Sequence, residues 1–209
     1  MLSAGMPRSG STWLYNVLRL LLQRQLSEGQ AFSSGWFANR QSVDDEGLQL
    51  LKLHKYDAEM ARSARFIAYS YRDPRDALAS ARRKFGTPLT LGWLDDCIGQ
   101  HDAWVKVAQH VLRYESMLDD PQKQARALAR RLGLPATLGE AVCAEIGELS
   151  FDSAGPRNEQ YHDINLFHRD HRTSDGQPGR WRTELPAALQ TEIQERHAQW
   201  LQRHGYPLT

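Results

Sequence analysis

The sequence predicts an α/β protein of three layers, α/β/α, around a central parallel sheet, with a P-loop-like phosphate-binding loop near its start. Three observations predict it. Strand-like and helix-like stretches alternate along the chain, as they do when helices cover both faces of one sheet. The strand candidates are continuously apolar, unlike strands with one wet face. A glycine-bounded loop, Gly5 to Gly10, separates the first strand from the first helix.

Residues 1–5 are the strand that feeds this loop. Leu14, Val17, Leu18, Leu21 and Leu22 recur at helical spacing and predict a helix over residues 11–25. Residues 27–47 are polar, carry an acidic Asp44-Asp45-Glu46 cluster and show no period, so a loop or lid is expected there. Residues 49–54 and 65–71 read as the second and third strands. Asp73 and Pro74 then start a helix as cap and first-turn proline. A helical stretch over 91–109 leads to a fourth strand at 111–114. Asp120-Pro121 opens another helix, stopped by Gly133, and residues 137–149 are helical as well. Residues 150–180 hold Gly, Pro, Asn, Asp and several His without a period, the composition of a long loop over a site. Pro186 starts the last helix, with Leu189, Ile193, Trp200 and Leu201 on one face.

A length of 209 residues suits one domain spanning 1–209, large enough for a sizeable core. Hydrophobic content of 41% and charged content of 24% are those of a soluble globular protein. The 26 Lys and Arg nearly cancel the 25 Asp and Glu, leaving +1, so there is no general attraction to nucleic acid or a membrane surface and any anion site must be local. Cys97 and Cys143 lack metal or redox spacing, which predicts free thiols in a reducing compartment, the cytoplasm. Asn16 and Arg19 interrupt the apolar run from Trp13 to Leu22, and no small-residue cleavage site follows, so this run is not expected to be a secretion signal. No apolar run approaches the length of a membrane span.

The loop Gly5-Met6-Pro7-Arg8-Ser9-Gly10-Ser11-Thr12-Trp13 has the make-up of an anion cradle. Glycines let backbone N–H groups close on an anion, the following helix adds its unpaired N–H groups and positive dipole end, and Arg8, Ser11 and Thr12 add side-chain donors. The spacing of the two glycines is that of a P-loop, but the expected lysine is Ser11 and the cation is Arg8 inside the loop. That pattern keeps the cradle and drops part of the machinery for a nucleoside triphosphate and Mg²⁺.

Four segments together resemble sulfotransferases that use 3′-phosphoadenosine 5′-phosphosulfate (PAPS). Pro7-Arg8-Ser9-Gly10-Ser11-Thr12-Trp13 is similar to that family's 5′-phosphosulfate loop. Tyr71-Arg72-Asp73-Pro74-Arg75-Asp76-Ala77-Leu78-Ala79-Ser80 resembles its 3′-phosphate motif, in which a strand-end Arg and a Ser eight residues on hold the ribose 3′-phosphate. Arg113-Tyr114-Glu115 with Asp119-Asp120-Pro121 resembles the strand-then-helix segment that follows, and Gly176-Gln177-Pro178-Gly179-Arg180-Trp181 the C-terminal cofactor loop. The resemblance implies PAPS as donor, adenosine 3′,5′-bisphosphate (PAP) as product, and cofactor contacts from Arg8, Ser9, Gly10, Ser11, Thr12, Trp13, Arg72, Ser80, Tyr114, Gly176, Gly179 and Arg180. Where many relatives have Arg-Lys-Gly, this chain has Ser174-Asp175-Gly176; Asp175 would repel a phosphate, which leaves Arg172, Arg180 or Arg182 as the replacement cation. The residues agree in part by themselves: Arg72 ends an apolar strand ahead of a capped helix, at the sheet edge where such folds bind ligands.

The resemblance also implies the chemistry. Lys52 and His54 resemble the family's Lys-Thr-His, which implies His54 as general base, Lys52 on the sulfuryl oxygens and Arg8 with Ser80 on the departing phosphate; Glu46 is the alternative base. A histidine with its usual pKa near 6.5 accepts a proton at neutral pH. The acceptor is a hydroxyl on a small molecule, sugar or peptide, and no metal is expected. Trp36, Phe37, Phe85 and Trp93 are candidates to line its pocket. The spacing of His162, His168 and His171 fits no known zinc pattern, and they read as lid residues or acceptor contacts. Two other functions compete: a P-loop phosphotransferase of the nucleoside-kinase type, and a non-catalytic nucleotide-binding module.

Overall fold

The computed structural model describes residues 1–39, 47–171 and 175–208. Its sheet has five strands, β1 (Leu2–Gly5), β2 (Phe32–Trp36), β3 (Leu48–Leu53), β4 (Ile67–Tyr71) and β5 (His110–Arg113). They pair in the order β2-β3-β1-β4-β5, all parallel. Between and after them run α1 (Ser11–Gln25), α2 (Ala58–Ser63), α3 (Pro74–Phe85), α4 (Leu91–Trp104), α5 (Tyr114–Asp119), α6 (Pro121–Arg131), α7 (Ala136–Glu148), α8 (Trp181–Glu184) and α9 (Ala187–Arg203). The predicted three-layer α/β architecture is therefore present.

Each layer follows from an apolar stripe. On one face Leu14, Leu18 and Leu21 of α1 meet Leu128 of α6 and Val142 and Ile146 of α7, over Leu50, Ala68 and Leu112 of the sheet. On the other face Leu78, Leu94, Trp181, Ile193 and Leu201 join α3, α4, α8 and α9. Asp73 caps α3 by accepting from the Arg75 N–H at 3.0 Å, and Asp120 caps α6 through the Lys123 N–H at 2.7 Å, each ahead of a proline.

Three expectations need correction. Residues 27–47, read as loop or lid, contain the edge strand β2. Its sequence, FSSGW, has apolar residues only at its ends, because an edge strand half open to solvent lacks the continuous apolar run of a central one. The helix expected over 91–109 ends at Trp104, and Tyr114, assigned to the fourth strand, opens the short helix α5 instead. Residues 58–63, unassigned in the sequence reading, form α2, capped by Asp57. The long stretch from 150 carries two isolated antiparallel bridges, Arg157↔His162 and Tyr161↔His168.

The topology creates one crevice. From β1 the chain crosses through α1 to β2 at one edge, whereas from β4 it crosses through α3 and α4 to β5 at the other. The connections part between β1 and β4, and the carboxyl ends at such a switch point form the usual ligand crevice of open α/β sheets. Gly5 and Ser70 are register partners there, one residue or two from the loops that follow.

Candidate active site

The phosphate loop turns as its glycines allow. Gly10 adopts φ 74° at the head of α1, where an L side chain would be strained and a Cβ would lie 3.0 Å from Met117 Sδ. At Gly5 a Cβ would come within 2.6 Å of Ser11 Cβ and Ser70 Oγ, so loop, helix and β4 close up only around glycine. Arg8 also has a positive φ, 64°. No side chain caps α1, which leaves its first N–H groups facing the crevice with the positive end of the helix dipole. Ser9 is turned the other way: its buried hydroxyl bonds Met6 O at 2.7 Å, Ser70 Oγ at 2.8 Å and Ser70 O at 3.1 Å. It locks the loop to β4. Ser11 and Thr12 lie at the first turn of α1, both buried, and Trp13 packs against the α1 core.

The two arginines adjoin. Arg72 Nη1 donates to the Arg8 carbonyl at 3.2 Å, and Arg8 Nε donates to Ser80 Oγ at 3.0 Å, so the 5′ and 3′ motifs interlock at the crevice. The Arg72 guanidinium lies 4.1 Å from the centre of the Tyr114 ring and 3.8 Å from Asp76. Its Nε is buried with no hydrogen-bond partner among the described residues. Burial, then the positive charge of Arg72, pulls the Arg8 pKa down to about 10. A buried and a half-buried cation held this close repel each other, and the buried Arg72 keeps an unsatisfied donor, an arrangement that an incoming polyanion relieves.

Lys52 and His54 extend the cluster along β3. Successive side chains alternate faces, so Lys52 falls on the same side as core Leu50 and meets the start of α1, where Nζ donates to Thr12 Oγ1 at 2.6 Å. The ammonium also lies 4.5 Å from the Trp36 ring centre. Burial, with Arg8 adding repulsion, drops its pKa to about 7. His54 Nδ1 is 2.5 Å from the Gly5 carbonyl. A carbonyl only accepts, so Nδ1 carries the hydrogen and the Nε2 lone pair is left for another proton. Burial first, then Lys52, lowers the His54 pKa to about 4 and keeps the ring neutral at pH 7.

The C-terminal loop docks on the same cluster. Asp76 accepts from Gly179 N at 2.7 Å and Trp181 N at 3.0 Å, and Tyr114 Oη donates to the Gly176 carbonyl at 3.1 Å. Burial raises the Asp76 pKa in spite of these bonds. Arg8 Nη2 donates to the His171 carbonyl at 3.1 Å, tying the preceding segment over the crevice. Arg180 is spent on Glu184 at 2.8 Å and Asp175 at 3.4 Å, while Arg182 lies over the Trp181 ring at 4.5 Å. Arg172 and Glu46 lie outside the described residues.

Of the aromatic candidates, Trp36 and Phe85 reach the cluster, whereas Phe37 and Trp93 pack into the core. His162 is structural: Nδ1 accepts from Ile164 N at 3.2 Å and Asn165 N at 3.3 Å, so Nε2 donates to Ala154 O at 3.2 Å. Among the described residues no group of three or more His, Cys, Asp or Glu is arranged to hold a metal ion, both cysteines are free, and no helix is long and apolar enough to cross a membrane.

The family model described as "Sulfotransferase domain" matches residues 92–205, more than half of the chain. The chain belongs to the sulfotransferase family. It is thus a transferase by family, and the match lies wholly beyond the two phosphate motifs, which rest on geometry. Among solved structures, this sulfotransferase is similar to mouse sulfotransferase SULT7A1 complexed with PAP, at 13% identity over 96% of this chain and 83% of that one, with a TM-score of 0.65. It is also similar to retinol dehydratase in complex with androsterone and inactive cofactor PAP, at 14% identity, 96% and 80% coverage and a TM-score of 0.61. A further retinol dehydratase structure, with retinol and PAP, gives 16% identity, the same coverages and a TM-score of 0.60. Likeness at these identities establishes the shared fold. No curated protein sequence matches significantly.

Sequence reasoning missed Asp76, which joins the C-terminal loop to α3. Its position inside the Arg72 motif was visible, but its partners lie 103 and 105 residues away.

Proposed function

We propose that this sulfotransferase moves a sulfuryl group from PAPS to a hydroxyl acceptor, with the donor held between Arg8 and Arg72. The supporting observation is the contact between those arginines at the β1–β4 switch point, where the two phosphate motifs become one polycationic crevice. The residues fit a doubly phosphorylated adenosine: a glycine-bounded cradle, an uncapped helix of 15 residues and an orphaned Arg72 Nε all seek an anion. Likeness to proteins solved with PAP supports the same reading.

PAPS, when bound, supplies an electrophilic sulfur whose departure leaves PAP. The α1 N–H groups, Ser11 and Thr12 hold the 5′-phosphate, Thr12 donating its own hydrogen while accepting from Lys52. Arg72 and Ser80 serve the 3′-phosphate, with Tyr114 backing the Arg72 guanidinium and Gly176, Gly179 and Arg180 closing the loop beside it. Lys52 and Arg8 balance the charge that develops on the leaving oxygen. His54 Nε2 takes the acceptor proton, as the Nδ1 bond to Gly5 leaves that nitrogen basic. Ser9 acts through the loop rather than on the donor. We read residues 1–209 as one such domain working in a reducing, cytoplasmic compartment. Calorimetry tests the donor: PAP should bind far tighter than ATP, and Arg72→Ala should weaken PAP about 10- to 100-fold. Equal affinity for PAP and ATP would overturn the reading.

A further inference from the structure

The donor reading leaves unexplained how the turn that carries Arg72 is held. Arg72 stands between the end of β4 and the start of α3, and the segment following α9 reaches back to the residues on either side of it. The His204 ring packs edge-on at 5.7 Å against Tyr71, which precedes Arg72. Tyr206 Oη donates at 3.2 Å to Glu115 Oε2, and Glu115 Oε1 accepts at 3.1 Å from the N–H of Asp73, which follows Arg72. The Pro207 carbonyl accepts from Arg75 Nη2 at 2.8 Å, and the same nitrogen donates to Asp73 Oδ2 at 2.7 Å. Tyr206 and Pro207 are 91 and 132 residues from the groups they bond.

Each of these bonds answers a local need of the turn. Asp73 is the N-cap of α3, so its own N–H lies outside the helix and needs an acceptor, which Glu115 supplies. Arg75 is fully buried over the Trp181 ring at 3.8 Å, and Asp73 balances its charge while Pro207 adds an acceptor. Glu115 is itself steadied by Arg113 Nε at 3.1 Å, whose guanidinium lies 4.5 Å from the centre of the Tyr206 ring. Arg72, by contrast, keeps a buried Nε without a hydrogen-bond partner among the described residues. The turn is thus fastened through the neighbours of Arg72, which itself keeps one donor open.

We propose that Tyr206 and Pro207, acting through Glu115 and Arg75, are positioning residues that pre-set Arg72 and so determine how strongly this sulfotransferase prefers a nucleotide with a 3′-phosphate to one without. The proposal rests on the donor reading and names the part of the chain that gives the site this selectivity. A guanidinium already in place loses less conformational freedom on binding than one that must first be ordered. Only a 3′-phosphate meets Arg72, whereas the 5′-phosphate is held by the α1 cradle. Loosening the strap therefore lowers affinity for PAP and leaves adenosine 5′-phosphate as it was.

The experiment measures PAP and adenosine 5′-phosphate by calorimetry on the unmodified protein, Tyr206→Phe, Glu115→Ala and Glu115→Gln, and repeats Tyr206→Phe in the Arg72→Ala background. Tyr206→Phe keeps the ring beside Arg113 and removes only the hydroxyl; PAP affinity should fall about 5-fold, the effect of one hydrogen bond, with adenosine 5′-phosphate within about 2-fold. Glu115→Ala should lose about 10-fold or more for PAP alone. Glu115→Gln, whose amide oxygen still accepts from Asp73 and whose amide nitrogen donates to the Tyr206 oxygen, should restore most of that loss. In the Arg72→Ala background Tyr206→Phe should change PAP affinity no further. Tyr206→Phe decides alone if Glu115→Ala does not fold. Unchanged PAP affinity in Tyr206→Phe, an equal loss for both nucleotides, or a further loss in the absence of Arg72 would overturn the proposal and leave the donor assignment standing. An unmodified protein that binds both nucleotides equally would instead overturn the donor assignment, and this proposal with it.

Discussion

On the β1–β4 side of the sheet edge, the site is assembled at two strand-to-helix turns: the Gly5 to Gly10 loop leads into α1, and Arg72 and Asp73 lead into α3. On the β3 side, Lys52 and His54 are placed by one short strand and owe their state to distant partners. Thr12 lies 40 residues from Lys52, Gly5 49 residues from His54, and the lid histidines more than 100 residues beyond either. The donor side is therefore geometry fixed by local backbone. The acceptor side is chemistry tuned by tertiary burial.

That difference sets what each side should lose when cut. The largest expected effect is on the acceptor side: His54→Ala should reduce kcat about 100- to 10,000-fold, the usual range for a lost general base, with PAP affinity within about 2-fold. Turnover unchanged in a transfer assay would move the base elsewhere. Arg8→Ala should cut both PAP affinity and kcat, because one guanidinium serves binding and the leaving oxygen; a loss in KM alone would separate those roles. The pH profile sharpens the contrast further. In the free enzyme, kcat/KM should fall as pH drops through about 4, where His54 gains a proton, and as pH rises through about 7, where Lys52 loses one. Lys52→Arg should move only the upper limb, and a profile unchanged by that substitution would exclude Lys52 from the ionisation.

Smaller effects separate folding from chemistry. His54, His101, His110 and His168 all have pKa values lowered to about 4 by burial. The folded state therefore resists their protonation, so their stabilisation is complete above the unfolded value near 6.5 and is lost as pH falls from there toward 4. Denaturant midpoints should decline across that window, and His101→Gln should flatten the decline. Ser9→Ala should destabilise the protein by about 1 kcal/mol through the lost bonds to Met6 and Ser70, with PAP affinity unchanged. A large affinity loss there would mean that Ser9 touches the donor.

The donor side was legible in the sequence because its turns are set by neighbouring residues. Glycine spacing, the Asp73-Pro74 cap and apolar strands are local signals that mark Arg8 as a loop cation and place Arg72 at the sheet edge, while the family resemblance gives Arg72 its phosphate. What they left open was whether Ser80, two turns along α3, meets the anion that Arg72 meets; the structure brings Ser80 against Arg8, which is itself bonded to Arg72. The edge strand β2 was hidden because FSSGW is half polar, and α5 because Tyr114 follows the strand residues Val111 to Arg113 directly, with no turn residue before the helix start. Burial of Lys52 and the tautomer of His54 have no sequence signature at all, since both depend on how α1 and β1 pack against β3.

The central claim is that one adenosine bisphosphate spans Arg8 and Arg72. Binding of PAP and of adenosine 5′-phosphate, which lacks the 3′-phosphate, to the unmodified protein and to Arg72→Ala tests it most directly. Arg72→Ala should lower PAP affinity to that of adenosine 5′-phosphate and leave adenosine 5′-phosphate itself unaffected; an equal loss for both nucleotides would contradict the bridging arrangement.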